Sequence, residues 1–347
     1  MKKTILLGAL LMLSSLAGTF AQEHNHRNIK ILETRDQMEE TIADPAQFDT
    51  RYSHNKLRLY PIIASETFLD GHKDIGRFTL LKEAISTQKI TISETGAASQ
   101  NNLNNVNVQS NMSGEVSGTV NTLFAKNNSQ DTIFIMAGEV VKGGKQDRVI
   151  GQDIVLAPGE EKDLSAFCVE KSRWSTKEGN GGKFTDYYQV SSMDIRKVVT
   201  KDKDQHEVWK KVDEHTEKNK ATSDTKAYTN LENSKEYQQK VKAYIDAFGD
   251  AFKDDERVIG VIAVTGDKVI GVDMFATHDL FIRSYPNLLH SYVGHAITNG
   301  EEVTITNNDV YAYLDEILRD QEKQNEVIEE NGAVYEYRNK KLHISKF

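Results

Sequence analysis

A chain of 347 residues, 38 % of them hydrophobic, is long enough for one large or two ordinary domains with substantial cores. Its 43 basic against 52 acidic residues, a formal −9, argue against nucleic acid or an anionic membrane surface as the main partner. The single cysteine, Cys168, excludes an internal disulfide, so that thiol is buried, functional or paired between chains.

The chain opens MKKTILLGALLMLSSLAGTFAQ. Lys2 and Lys3 form a positive start, Thr4 to Gly18 an apolar core, and Thr19-Phe20-Ala21 a small-x-small cleavage site before Gln22. That pattern predicts a signal peptide over residues 1–21 and an exported protein, periplasmic or secreted. No later run reaches the ~18 apolar residues of a spanning helix, so no membrane span is expected. A bacterial lipid anchor needs a cysteine directly after the cleavage site, and Cys168 is far from it. Losing Lys2 and Lys3 with the leader takes the formal charge to −11.

Residues 22–54 read as an N-terminal arm, with a charged helix over 28–43 (NIKILETRDQMEETIA). Residues 55–300 read as the main α+β domain, β-rich over 55–174 and built of helices and a hairpin over 200–300. Its first elements are a strand at 56–65, a short helix at 76–87 and a strand at 89–93. The Asn-rich stretch 96–114 reads as a long surface loop, or as one covering a ligand. Strands follow in VSGTVNTLFAKN, DTIFIMAG, DRVIGQDIVLA and EKDLSAFCV, the last two joined by a turn at Pro158-Gly159.

After the flexible GNGGK at 179–183, an amphipathic helix is expected within 201–220, and a second one capped by Asn233 or Ser234. RVIGVIAVTGDKVIGVDMF, 257–275, is the clearest hairpin, turning at Gly266-Asp267 and apolar enough to be buried on both faces. A helix from Thr277 should break near Pro286. Residues 301–347 read as a C-terminal helix and strand. The expected class is α+β: a β-rich central sheet or sandwich, followed by helices around a second small sheet.

The chemistry concentrates in GGKQDRVIGQDIVLAPGEEKDLSAFCVEKSRW, 143–174. Gly143 and Gly144 let the backbone turn sharply and present N–H groups to an anion; the plain alternative is a structural turn. Alternation puts Cys168 and Glu170 on one face of the last strand, with Arg173 and Trp174 in the following turn. Adjacent antiparallel strands bring the two outer ends together, so Gln146 and Arg148 should lie near Glu170, Arg173 and Trp174. Two arginines beside one carboxylate suit an anionic ligand, and tryptophan a planar one; a structural ion pair under a packed tryptophan is the alternative. Between Phe167 and Val169, Cys168 reads as a core thiol rather than a nucleophile. Asp273 sits among apolar neighbours in VIGVDMF and needs either a structural partner or a ligand. His290 and His295 are five apart, no HExxH is present, and no metal site is expected. Nothing in the sequence points to a particular cofactor, and the oligomeric state is left open.

AGEVVKGGKQDRVIGQDIVLAPGEEKDLSAFCVEKSRW, VWKKV at 208–212 and IGVIAVTGDKVIGVDMFATHDLF together resemble the ADP-ribosylglycohydrolase-and-rhodanese-phosphatase-associated protein domain family. Its members are similar in an [I/V]xxGE…GGKQxR segment, a CVExxRW segment and a late GxDxF strand. The resemblance covers roughly residues 55 to 300. The matched polar positions are Glu139, Gln146, Arg148, Cys168, Glu170, Arg173, Trp174 and Asp273. The resemblance brings no activity with it, and an exported chain is removed from cytosolic nucleotide pools. Two readings follow. The first is a module binding a small anionic or nucleotide-like ligand through Glu139, Gly143, Gly144, Gln146, Arg148, Glu170, Arg173 and Trp174. The second is a hydrolase with Glu170 or Asp273 as general base.

Overall fold

The computed structural model describes residues 29–31, 52–94, 121–176, 181–318, 326 and 330–347. The expected signal peptide, most of the N-terminal arm and the Asn-rich loop lie outside the described residues. The protein is α+β, with a closed barrel, a small three-stranded sheet and a seven-stranded sheet covered by helices.

The barrel runs β11-β6-β5-β12-β8-β9. Its strands are β5 (Ile90–Glu94), β6 (Thr122–Asn127), β8 (Glu139–Gly143), β9 (Arg148–Ile150), β11 (Glu161–Cys168) and β12 (Lys183–Val190). Side chains alternate between two cores. Ile92, Ala125, Val141, Ile150, Leu164, Ala166 and Phe184 belong to the barrel's own core. Val140, Val149, Phe167 and Val190 belong to a larger core shared with the helices. Helix α2 (Leu81–Ser86) adds Leu81, Ala84 and Ile85 to the barrel core.

The expected strand DRVIGQDIVLA is two strands. After β9 the chain leaves the barrel, and β10 (Ile154–Leu156) pairs with β7 (Ile133–Ile135), beside the short β4 (Thr79–Leu80). Gly151 permits the change of direction: a Cβ there would meet Ser165 Oγ at 2.8 Å and the Phe167 ring at 2.9 Å.

The second sheet is larger than expected because both ends of the chain join it. Its order is β1-β3-β13-β14-β16-β15, with β2 (Ser53–His54) beside β3 (Leu57–Ala64). Within the stretch expected as a helix, Ile29–Ile31 (β1) instead pairs with Ile62–Ala64; its apolar-polar-apolar pattern suits a strand on that edge. The hairpin of β13 (Val258–Thr265) and β14 (Lys268–Phe275) is central, and every residue of β13 is buried. Val258, Val261 and Ala263 enter one core, and Ile259, Ile262 and Val264 the other. Each fully buried aliphatic side chain of this kind contributes about 1.5–3 kcal/mol. The C-terminal residues form a hairpin, β15 (Gly332–Tyr337) and β16 (Lys340–Lys346), preceded by α7 (Asn307–Leu318).

Helix α1 (Glu66–His72), capped by Ser65, has no counterpart among the expected elements, and the helix expected over 76–87 is shorter: Thr79–Leu80 is strand β4 and only Leu81–Ser86 is helical. Helices α3 (Met193–Lys197), α4 (Gln205–Lys218) and α5 (Lys235–Phe248) follow the barrel, and Ser234 caps α5 as expected. Helix α6 (His278–Asn299), capped by Thr277, runs through Pro286 without interruption. Proline inside a helix costs about 3 kcal/mol. Burial of Tyr285, Leu288, Leu289, Tyr292 and Val293 on this helix outweighs that cost.

Candidate functional site

Glu139 and Gly143 are the two ends of β8, so the matched polar residues separate into two clusters at opposite ends of the barrel. Gly143, Gly144, Gln146, Arg148, Glu170 and Arg173 gather at one end. Glu139 and Asp273 belong to the other.

At the first end, β9 and β11 are antiparallel neighbours with Arg148 opposite Cys168. Alternation carries both inward with Ile150 and Ala166. Glu94, in phase with Ile90 and Ile92 on β5, reaches the same end. Gly143 (φ 144°) and Gly144 (φ 48°) turn the chain there; a Cβ on Gly143 would lie 2.5 Å from the Lys183 carbonyl oxygen.

Arg173 is the clamp of this turn. Its Nη1 donates to the carbonyls of Gly144 and Ser175, both at 2.8 Å. Its Nη2 donates to Gly143 O (3.1 Å), Asp147 Oδ1 (3.2 Å) and Glu170 Oε2 (2.6 Å). Glu170 Oε2 also accepts from the Asp147 N–H at 3.0 Å. Burial pushes the Glu170 carboxyl up, but Arg173 and that N–H outweigh it and hold the group below its ordinary value. Asp147 accepts from the Gly143 N–H (3.0 Å) and the Thr229 hydroxyl (2.9 Å). Gln146 donates to the Glu170 carbonyl at 2.6 Å. Trp174 stands 58 % exposed outside this cluster.

Arg148 is held much more loosely. It is only 3 % exposed, and its Nη1 reaches Gln146 Oε1 at 3.2 Å and Gln146 O at 3.4 Å. The carboxylate of Glu94 lies 3.8 Å from Nη2, and Nε has no acceptor among the described residues. Cys168 opposite it is fully buried; desolvation raises its pKa, only partly opposed by Arg148. Gln205 bonds both the N–H and the carbonyl of Cys168, at 2.8 and 2.9 Å, fixing the strand rather than activating the thiol.

At the other end Asp273 is completely buried and fully occupied. Arg196 grips it with two bonds (3.0 and 2.7 Å), the Tyr292 hydroxyl donates at 2.5 Å, and His343 Nε2 lies 3.0 Å away. The other ring nitrogen of His343 lies 2.5 Å from Asp153 Oδ2. Flanked by two carboxylates, the ring carries both protons, and these partners outweigh desolvation to raise its pKa to about 9. Asp273 is held well below its ordinary value: burial raises it, and Arg196 and His343 more than reverse that. Glu139 accepts from the Met136 N–H at 2.7 Å, and burial drives its pKa up to about 8. A general base needs a proton-accepting site with a pKa near the working pH. Glu170 and Asp273 are depressed and engaged, which suits structural carboxylates.

Sequence reading does not single out Glu94, Asp147, Arg196 or His343. Asp147 stands in the GGKQDR segment, and Glu94 continues the inward alternation of KITISE, so both carry a signal. Arg196 and His343 meet Asp273 only through the tertiary fold. Among the described residues no group of three His, Cys, Asp or Glu is arranged to hold a metal ion, and no helix is long and apolar enough to cross a membrane.

The family model of the ARG and Rhodanese-Phosphatase-superfamily-associated Protein domain matches residues 45–346, and the chain belongs to this family. The matched span extends to both sides of the 55–300 resemblance and takes in the C-terminal hairpin. No curated protein and no solved structure matches the chain.

Proposed function

We propose that this member of the family is an exported module that binds a small anionic or nucleotide-like ligand at the Arg148 end of the barrel. The observation that carries the reading is Arg148 itself. A guanidinium buried to this depth with an unbonded Nε and its nearest carboxylate oxygen at 3.8 Å is incompletely compensated. Such a charge costs several kcal/mol, which an anion bonded to the guanidinium would offset. Gln146 and Glu94 flank it with an amide and a carboxylate that can set the ligand's orientation. Arg173, with five protein acceptors, supports the turn instead of gripping the ligand. Export rests on the leader pattern of residues 1–21 and predicts a mature N-terminus at Gln22.

Calorimetric titration of the mature protein with inorganic phosphate and with adenosine monophosphate tests the reading. Saturable binding that disappears in Arg148→Gln, while that variant still melts cooperatively, is the expected result. Absence of binding to both probes, or equal binding by wild type and Arg148→Gln, removes the barrel end as the site.

A further inference from the structure

We propose a second site, independent of the barrel end: Asp194 and His295 form a general-base pair that holds a water for hydrolysis of an ester substrate. It lies at the more open end of a buried hydrogen-bonded run shared by α3, α4 and α6. Ser192 Oγ donates to Asp194 Oδ1 at 2.5 Å. His215 Nε2 lies 2.9 Å from both Asp194 Oδ1 and Ser192 Oγ, and its Nδ1 lies 2.9 Å from Thr298 Oγ1. His215 Nε2–H donates to Asp194 with Ser192 donating beside it, and Nδ1 shares a hydrogen bond with the Thr298 hydroxyl. In that arrangement Ser192 faces a nitrogen that already carries a proton, so it positions Asp194 and is not a nucleophile.

His295 is the member of the run with spare capacity. It shares a face of α6 with Thr298 and Asn299, three and four residues on. Its Nδ1 is buried, has no hydrogen-bond partner among the described residues, and lies 4.0 Å from Asp194 Oδ1. An oxygen placed ~2.8 Å from each would form a triangle with an apex of about 90°, close to the angle between the two O–H bonds of water. Ser192 and His215 are inaccessible, whereas the Asp194 and His295 side chains are 12 % and 15 % exposed. Tyr237 OH is also buried without a partner among the described residues, and it lies 3.3 Å from where a Cβ on Gly294 would stand. Unspent polar capacity of this density marks a site that hydrates or binds.

The electrostatics suit the chemistry. Burial raises the Asp194 carboxyl, but His215, His295 and Ser192 more than reverse this and keep it ionised. Burial lowers His295, with Asp194 opposing and His215, Lys268 and Lys211 assisting, so its imidazole is neutral at pH 7 and able to take a proton. Lys218 bonds Asn299 Oδ1 at 2.6 Å, and Glu214 pairs with both Lys211 and Lys218. Lys211, Lys218 and Lys268 stand against Asp194, Glu207 and Glu214, so the charges along this edge balance and do not select the charge of the ester. In the step, one water O–H bond breaks and its proton passes to His295 Nδ1. The oxygen bonds to the acyl or phosphoryl centre, and the leaving group departs with the bonding pair and takes a proton from solvent.

The test uses the mature full chain with para-nitrophenyl acetate and bis(para-nitrophenyl) phosphate, the first reporting acyl and the second phosphoryl transfer. Nitrophenolate release above buffer is expected from one of them, falling about tenfold or more in His295→Gln. Its pH profile should rise at a pH below the ordinary histidine range. Asp194→Asn should behave likewise if it folds, and Arg148→Gln should retain the rate, which separates this site from the barrel end. No release from either ester, or release unchanged by His295→Gln, overturns the proposal.

Discussion

Arg196 grips Asp273 with two parallel hydrogen bonds in a place where neither side chain touches solvent. Arg196 comes from the helix after the barrel and Asp273 from the central hairpin of the large sheet, so the pair fastens one to the other. His343 and Asp153 extend the network to the C-terminal strand and back to the segment between β9 and β10. Two cations and two carboxylates balance, and Tyr292 supplies a further hydrogen bond. Removing one partner leaves an uncompensated buried charge, whose cost is about 3–5 kcal/mol. Asp273→Asn should therefore lower stability by that amount in urea unfolding, whereas a loss below about 1 kcal/mol would mean that Arg196 finds another partner.

The same network makes stability depend on pH. His343 has a folded pKa near 9 against an ordinary 6.5, so its contribution is complete below about pH 6.5 and is lost as pH rises through 9. Glu139, raised to about 8 from an ordinary 4.5, acts in the same direction: the folded protein keeps a proton that the unfolded chain releases above 4.5. Asp273 works oppositely, since its lowered pKa gives stability present above about 3.8 and lost in stronger acid. Thermal unfolding should show Tm falling between about pH 6 and 9, with the fall visibly reduced in His343→Gln. An unchanged pH slope in that variant would assign the dependence to other groups.

Arg173 should behave as a structural residue. Its guanidinium bonds three backbone carbonyls and two carboxylates, so Arg173→Ala abandons all five and leaves Glu170 and Asp147 facing each other. We expect a loss of about 3 kcal/mol or more. Arg173→Lys should recover little of it, because an ammonium cannot reproduce the planar fork. Phosphate affinity of whatever fraction remains folded should change less than in Arg148→Gln. The reverse order in a titration would return the ligand contact to Arg173.

Local pattern carried a large part of this architecture. Alternating runs mark β5 and β11, continuous apolar runs mark β3 and the β13–β14 hairpin, and Ser234 and Thr277 announce their helices. The nearness of Gln146 to Glu170 is legible too, because it follows from antiparallel pairing of adjacent segments. The need of Asp273 for a partner is legible from its apolar neighbours, but its identity is not: Arg196 stands 77 positions away and nothing local selects it. The different duties of Arg148 and Arg173 are hidden for another reason. Three acceptors of Arg173 are backbone carbonyls, which have no residue-type signature. The departure of β10 likewise goes with close packing at Gly151 and not with any change in alternation, and closure of the barrel has no local signature.

Gly138 offers the most local probe of the junction. Its φ of 93° lies in the region that only glycine adopts without strain, and a Cβ there would stand 2.4 Å from Arg196 Cγ and 2.8 Å from its Cδ. Alanine would thus incur backbone strain of about 1–3 kcal/mol and would also push the Arg196 stem aside. The stem cannot yield freely, because its guanidinium is tied to Asp273 at the far end. Gly138→Ala should cost more than strain alone. Pairing it with Arg196→Met separates the two terms: the double variant should lose less than the sum of the singles, since the flexible methionine no longer has to hold Asp273. Strict additivity in that double-mutant cycle would show that Gly138 and Arg196 are not sterically coupled.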